Sequence, residues 1–205
     1  MSILPRALRC DGLYTAAGGP FSFVAPPGMC LTVMGPSGVG KSLLLRALAD
    51  LDPHRGDVFL GETRQSACPP HDWRRQVSYV PAAAGWWAET VAEHFGDLAA
   101  LDADLLTLGL SPACGAWPVS RLSSGEKQRL ALLRSVALQA PVLLLDEPTA
   151  NLDAASALGV EHWLVARKDA GTTLIWVTHD AVQALRVADR RYVLEHDGLH
   201  EVPDA

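Results

Sequence analysis

Apolar positions along the chain follow two rhythms. Short apolar pieces at residues 3–8, 21–24 and 30–34, separated by Gly18-Gly19-Pro20 and Pro26-Pro27-Gly28, read as strands and turns near the N-terminus. Residues 56–61 read as a short strand ending in a turn, and residues 76–80 as a buried strand stopped by Pro81. Further on, 142–145 and 172–177 are continuous apolar runs of the kind buried on both faces of a parallel sheet, and 191–195 is an edge strand. Helical spacing marks residues 43–49, 89–95 and 98–108, with Gly109 as a C-cap and Pro112 soon after. It returns from Ser124, where Leu130, Leu133 and Ala137 share a face and Ser123 or Ser124 caps, and again over 154–168. Beyond Gly198 the tail reads as weakly ordered. The pattern predicts an α/β fold with a mainly parallel sheet, an N-terminal antiparallel β subdomain and a short α-helical insert.

Trp86 and Trp87 interrupt this pattern. In an extended segment, successive side chains alternate faces, so both cannot enter one core. One is left for a partner surface or for a core rim.

Composition narrows the class. A chain of 205 residues can bury one substantial core. A formal charge of −6 opposes chain-wide attraction to nucleic acid or anionic lipid, so no nucleic-acid partner is expected. Cys10, Cys30, Cys68 and Cys114 are widely spaced without a C-x-x-C pair, which suggests neither zinc nor disulfides and fits a reducing cytosol. Met1-Ser2-Ile3-Leu4-Pro5-Arg6 lacks the pattern of a secretory signal, and no stretch approaches about 18 uninterrupted apolar residues. Any membrane span is expected from another chain.

The chemistry begins after the strand at 30–34. Gly35-Pro36-Ser37-Gly38-Val39-Gly40-Lys41-Ser42 reads G-x-x-x-x-G-K-S between a strand and a helix, the context of a P-loop. Its glycines let backbone N–H groups curl around phosphate oxygens, and the helix adds its positive end. Lys41 would reach the β- and γ-phosphates and Ser42 would face Mg²⁺. The run at 142–145 ends in Asp146-Glu147, an acidic pair that beside a P-loop reads as a metal-holding Asp146 and a Glu147 placed to orient or deprotonate the attacking water. His179 ends the run at 172–177 and can donate to a γ-phosphate. Tyr14 lies where an aromatic could stack on adenine, or is a packed surface tyrosine.

Taken together, these residues resemble the ATP-binding-cassette ATPases over nearly the whole chain. Gly35 to Ser42 resembles Walker A, and Leu122-Ser123-Ser124-Gly125-Glu126 the family signature. Val142 to Asp146 with Glu147 is similar to the Walker B strand and catalytic glutamate, Asn151-Leu152-Asp153 to the D-loop, and His179 to the switch histidine. The resemblance implies a P-loop NTPase core at about 1–85 and 140–205 and a helical subdomain at about 86–139 that carries the signature. It implies ATP and Mg²⁺ as cofactors. It also implies an ATP-dependent head-to-tail homodimer in which Ser123, Gly125, Glu126 and Asp153 join the neighbour's nucleotide, and coupling to an integral membrane permease from the cytoplasmic face. The segments around Val77 and ending at Asp180 look most like compact cassettes of metal-ion or other small export systems. Alternatives are a soluble cassette in cofactor assembly and a P-loop metabolite kinase, the latter leaving the signature without a purpose. Two departures stand out. Ser124 replaces a family glycine, and the family's Q-loop glutamine would fall at Ala82, with Gln76 too far upstream to reach the site. The insert is also shorter than is usual for the family.

Overall fold

Two sheets share the chain in the computed structural model, which describes residues 6–203. The stretch at 3–8 lies partly outside this range, and the segment at 1–6 almost wholly so. The first sheet is antiparallel. It contains β1 (Leu8–Thr15), β2 (Gly18–Ala25), β4 (Arg55–Leu60) and β5 (Thr63–Arg64), in the order β2-β1-β4-β5. Alternating buried and exposed residues in β1 and β2 give the period of two expected of a sheet with one wet face.

The second sheet carries the site. Its members are β3 (Cys30–Met34), β6 (Val77–Val80), β7 (Val142–Asp146), β8 (Thr173–Val177), β9 (Arg190–Glu195) and β10 (Gly198–Val202), ordered β10-β9-β3-β8-β7-β6. All pairs are parallel except β10 with β9. The three central strands β3, β8 and β7 are buried almost throughout, as their unbroken apolar runs require. Two expectations are corrected here. The strand at 191–195 is not an edge, because the tail beyond Gly198 is ordered as β10 and pairs with it from Gly198–Glu195 to Val202–Arg191. Tail residues with no strong apolar run gain their order from that ladder.

Helices α1 (Lys41–Leu48), α2 (Pro70–Gln76), α3 (Asp102–Thr107), α4 (Ser124–Ala137), α5 (Ala154–Asp169) and α6 (Ala181–Val187) complete the elements. Alternate strand residues serve opposite cores. Leu31, Val33, Val142, Leu144, Ile175 and Val177 pack with Leu44, Leu45 and Leu48 of α1 and with the antiparallel sheet. Cys30, Leu143, Leu145, Leu174 and Trp176 pack with Leu130 and Leu133 of α4, Trp163 and Leu164 of α5, and Leu105 of α3. Asp146 therefore shares the parity of Leu144 and emerges on the α1 face.

The helix expected at 89–95 is absent. Only a single 3₁₀ turn forms at Ala92–His94, because the chain pairs instead with residues 117–119: Val91 N–H donates to Trp117 O and Val119 N–H to Glu89 O. The helix expected at 98–108 starts late, a 3₁₀ turn at Ala99–Leu101 preceding α3. Its end is as expected. Gly109 has φ +65°, Leu110 N–H donates to Leu105 O and Gly109 N–H to Leu106 O, the paired bonds of a Schellman stop.

Candidate nucleotide site

The carboxyl ends of β3, β7 and β8 converge, and the loop from β3 into α1 is shaped by glycines. Gly40 has φ +108°, and a Cβ there would lie 2.3 Å from the Ala17 methyl in the β1–β2 turn. Gly35, φ +142°, leaves only 2.2 Å between a Cβ and Leu194 O. Neither position admits another residue without moving backbone, so the loop's curl is a property of the sequence. Lys41 folds back along it, its ammonium donating to Gly35 O (2.8 Å) and Pro36 O (2.9 Å). One ammonium proton and the N–H groups at the start of α1 remain for an anion.

A cleft of about 660 Å³ opens beside this loop, lined among others by Ser37, Gly38, Gly40, Lys41, Ser42, Ala82, Asp146, Glu147 and Asn151. Ser42 and Asp146 bring hydroxyl and carboxylate oxygens into it, a hard donor set that fits Mg²⁺. Asp146 is 5% exposed, and Tyr79 of β6 donates to its Oδ2 at 2.9 Å. Burial first, and the Asp146 charge second, push the Tyr79 phenol above its ordinary range, so it remains a protonated donor.

Glu147 follows Asp146 with φ +49°, a left-handed backbone that is uncommon outside glycine and asparagine. Its N–H is tied to Val177 O at 3.0 Å, and its Oε2 lies 2.6 Å from His179 Nδ1 at the end of β8. The turn thus swings the carboxylate out of the strand toward the cleft and holds it against an imidazole. A hydrogen-bonded carboxylate in such a position can orient or deprotonate water.

The loop carrying Glu147 is anchored by a network that no sequence pattern marked. Gln183 Nε2 donates to Thr149 Oγ1 (2.7 Å) and to Glu161 Oε1 (2.9 Å), and Arg186 grips both Glu161 oxygens at 2.8 Å. Burial pushes the Glu161 carboxyl up, but the Arg186 and Gln183 hydrogen bonds outweigh it and hold it below the usual range. The partners lie 22 to 34 positions apart, and Glu161 on α5 and Gln183 and Arg186 on α6 look like ordinary wet-face residues.

The remaining residues singled out in the sequence stand elsewhere. Ser123 caps α4 in a capping box: its Oγ accepts from Glu126 N–H (3.2 Å), and Glu126 Oε2 accepts from Ser123 N–H (2.9 Å). The Ser123 N–H and the Ser123 hydroxyl both donate to Glu126 Oε2 and hold its carboxyl below the usual range. Ser124 is the first residue of α4 and is not among the positive-φ residues, so it replaces a glycine without strain. Asp153 caps α5 by accepting from Ser156 N–H and Oγ. Tyr14, 46% exposed, lines a separate cleft with Pro53, His54 and Arg55. Tyr14, Ser123, Gly125, Glu126 and Asp153 do not line the cleft at the P-loop. Ala82 does, and Gln76 does not: its side chain accepts from Arg6 and donates to Asp72 O.

A family model described as ABC transporter matches residues 19–150, well over half of the chain. The chain belongs to the ABC transporter family. Membership implies ATP binding. Over 195 residues the chain is 37% identical to a sulfate/thiosulfate import ATP-binding protein of Mycobacterium tuberculosis, covering 88% of this chain and 55% of that relative. It is 39% identical to a cobalt import ATP-binding protein of Rhodobacter capsulatus (82% and 66%), and 34% identical to an aliphatic sulfonates import ATP-binding protein of Rhizobium johnstonii (93% and 74%). The chain spans about half the length of the sulfate-import relatives. Two solved structures share the fold at a TM-score of 0.85. One is the ATP-binding subunit of an ABC transporter (23% identical, covering 95% of this chain and 89% of that one), the other a bacterial Atm1-family exporter with ATP bound (21%, 98% and 39%).

Proposed function

We propose that this ABC family member binds and hydrolyses ATP at the P-loop cleft and passes the resulting motion to a separate membrane permease. The observation that carries the reading is the carboxylate of Glu147, swung out by a left-handed backbone, held by His179, and lining the same cleft as Lys41, Ser42 and Asp146. In this reading Lys41 and the loop N–H groups bind the phosphates, Glu147 accepts a proton from the attacking water, and His179 keeps Glu147 in place and donates toward the γ-phosphate. Ser42 and Asp146 would hold Mg²⁺, which neutralises phosphate charge when bound. Tyr14, exposed in the cleft it shares with Pro53, His54 and Arg55, would stack on an adenine that reached that cleft.

Ser123, Gly125, Glu126 and Asp153 lie outside the cleft of their own chain, which supports their acting on the nucleotide of a second copy packed head to tail. The start of α4 offers a capped helix N-terminus to that copy's γ-phosphate. The helical subdomain at about 86–139 would carry this motif against the core at about 1–85 and 140–205. No helix of the described residues is long and apolar enough to cross a membrane. In this reading transport is coupled through a permease, with this subunit peripheral on the cytoplasmic face. Relatives of similar identity are named for sulfate, cobalt and sulfonate import, which favours import over the export likeness and leaves cargo choice to the permease.

Replacing Glu147 by Gln keeps the shape and removes the base. Hydrolysis should fall at least about a hundredfold while ATP binding persists, whereas Lys41→Ala should lose binding. Near wild-type turnover by Glu147→Gln would overturn the assignment.

A further inference from the structure

Asp146 and Tyr79 form a pair that neither the motif nor the cleft lining accounts for. Asp146 is almost fully buried, and a carboxylate so placed needs a donor to offset its lost hydration. Among the described residues, the Tyr79 hydroxyl is the one side-chain donor to it, at 2.9 Å on Oδ2, leaving Oδ1 without a side-chain partner. The terminal torsion of an aspartate is broad, so without a pin either oxygen could turn to the cleft. Tyr79 does not line the cleft and is packed against the core on the α1 side. The pairing of Tyr79 with Leu144 across the β6–β7 ladder places it diagonally beside Asp146 on one face of the sheet. Just beyond it on the same chain, Ala82 and Ala83 reach the cleft, and their methyls offer no ligand.

Resting on the nucleotide-site reading above, we propose that Tyr79 is a positioning residue that fixes the Asp146 carboxylate for a divalent cation bound with the nucleotide. Its hydroxyl holds one oxygen back against β6 and commits the other to the cleft. In a site where Ala82 supplies nothing, that orientation carries a larger share of cation affinity. A partner that orients a ligand from behind is worth about ten- to a hundredfold in metal affinity.

The test uses the purified full chain and a fluorescent ATP analogue, titrated in EDTA and then across Mg²⁺ concentration. Tyr79→Phe should bind the analogue in EDTA within about twofold of wild type, while the Mg²⁺ midpoint for tightened binding rises about tenfold. In an Asp146→Asn background the same substitution should leave the midpoint unchanged, since the residue acts through the carboxylate. An unchanged midpoint in Tyr79→Phe, or a shift that persists undiminished beside Asp146→Asn, would overturn the proposal. Loss of binding in EDTA as well would assign Tyr79 to the fold alone and equally overturn it. Failure of the wild type to bind the analogue under any condition would instead overturn the nucleotide-site reading itself.

Discussion

The methyl group of Ala82 lines the cleft that also holds Lys41, Ser42 and Asp146, at the place where the family resemblance sets a side-chain amide. Mg²⁺ keeps several waters, so one more water can take an absent ligand's place and basal turnover should persist at a low rate. Ala82→Gln should raise kcat by up to about tenfold, equivalent to about 1.4 kcal/mol in the transition state, measured as steady-state ATPase at saturating Mg-ATP. No gain would mean that another group already fills the role. The cysteines make a second case. Burial pushes the thiols of Cys10 and Cys30 up to about 12 and raises Cys114, while Cys68 is only half-buried. A maleimide at neutral pH should therefore label Cys68 alone in the native protein and all four after denaturation, read by mass spectrometry. The raised values also set a sign: the folded state prefers the neutral thiol. The resulting stability is whole below the ordinary value of 9.0 and is lost as pH rises from there toward about 12, so urea midpoints should fall across that window. Single residues were legible in proportion to how local their signal is. Lys41, Ser42, Asp146 and Glu147 sit inside contiguous motifs, whereas Tyr79 and the Glu161–Gln183–Thr149 network meet across 22 to 67 positions.

Elements were legible where hydrophobic period and capping chemistry agree. α4 opens at Ser124 because Ser123 and Glu126 satisfy each other's backbone donors, and α3 stops at the Gly109 turn. The segment at 89–95 failed that agreement, since its spacing suits a helix but its N–H and C=O groups are taken by residues 117–119. The same segment explains the two tryptophans. Trp87 is 71% exposed and tilted against the His94 ring at 4.7 Å, whereas Trp86 stands edgewise to the same ring and packs into the second core, and Arg134 lies over both tryptophans. Trp86→Ala should cost about 2 kcal/mol, somewhat below a fully buried aromatic truncation. Trp87→Ala should stay within about 0.5 kcal/mol. Urea denaturation of both variants checks the order, and equal losses would mean that Trp87 carries core packing after all. A Trp87→Ala protein that folds normally is then the right bait to ask whether this exposed ring anchors a permease.

Across the whole molecule, no residue of the signature helix lines the P-loop cleft of its own chain, and the proposed head-to-tail pairing turns this into a prediction. Lys41→Ala spoils the phosphate site but leaves the start of α4 intact. Ser124→Asp does the reverse. Ser124 is exposed at the first position of α4, where an acid favours the helix, so the fold should be unharmed. That same acid would stand against the γ-phosphate presented by a second copy and repel it. Each variant alone should be inactive, because every site in its homodimer lacks one half. In an equimolar mixture, half of the pairs are mixed and each holds one complete site out of two, so activity should recover to about a quarter of wild type. The measurement is steady-state ATPase on the two variants apart and together, at concentrations high enough for nucleotide to drive association. If the mixture stays as inactive as its components, the two halves act within one chain or pair in another geometry, and the head-to-tail reading falls while the family assignment stands.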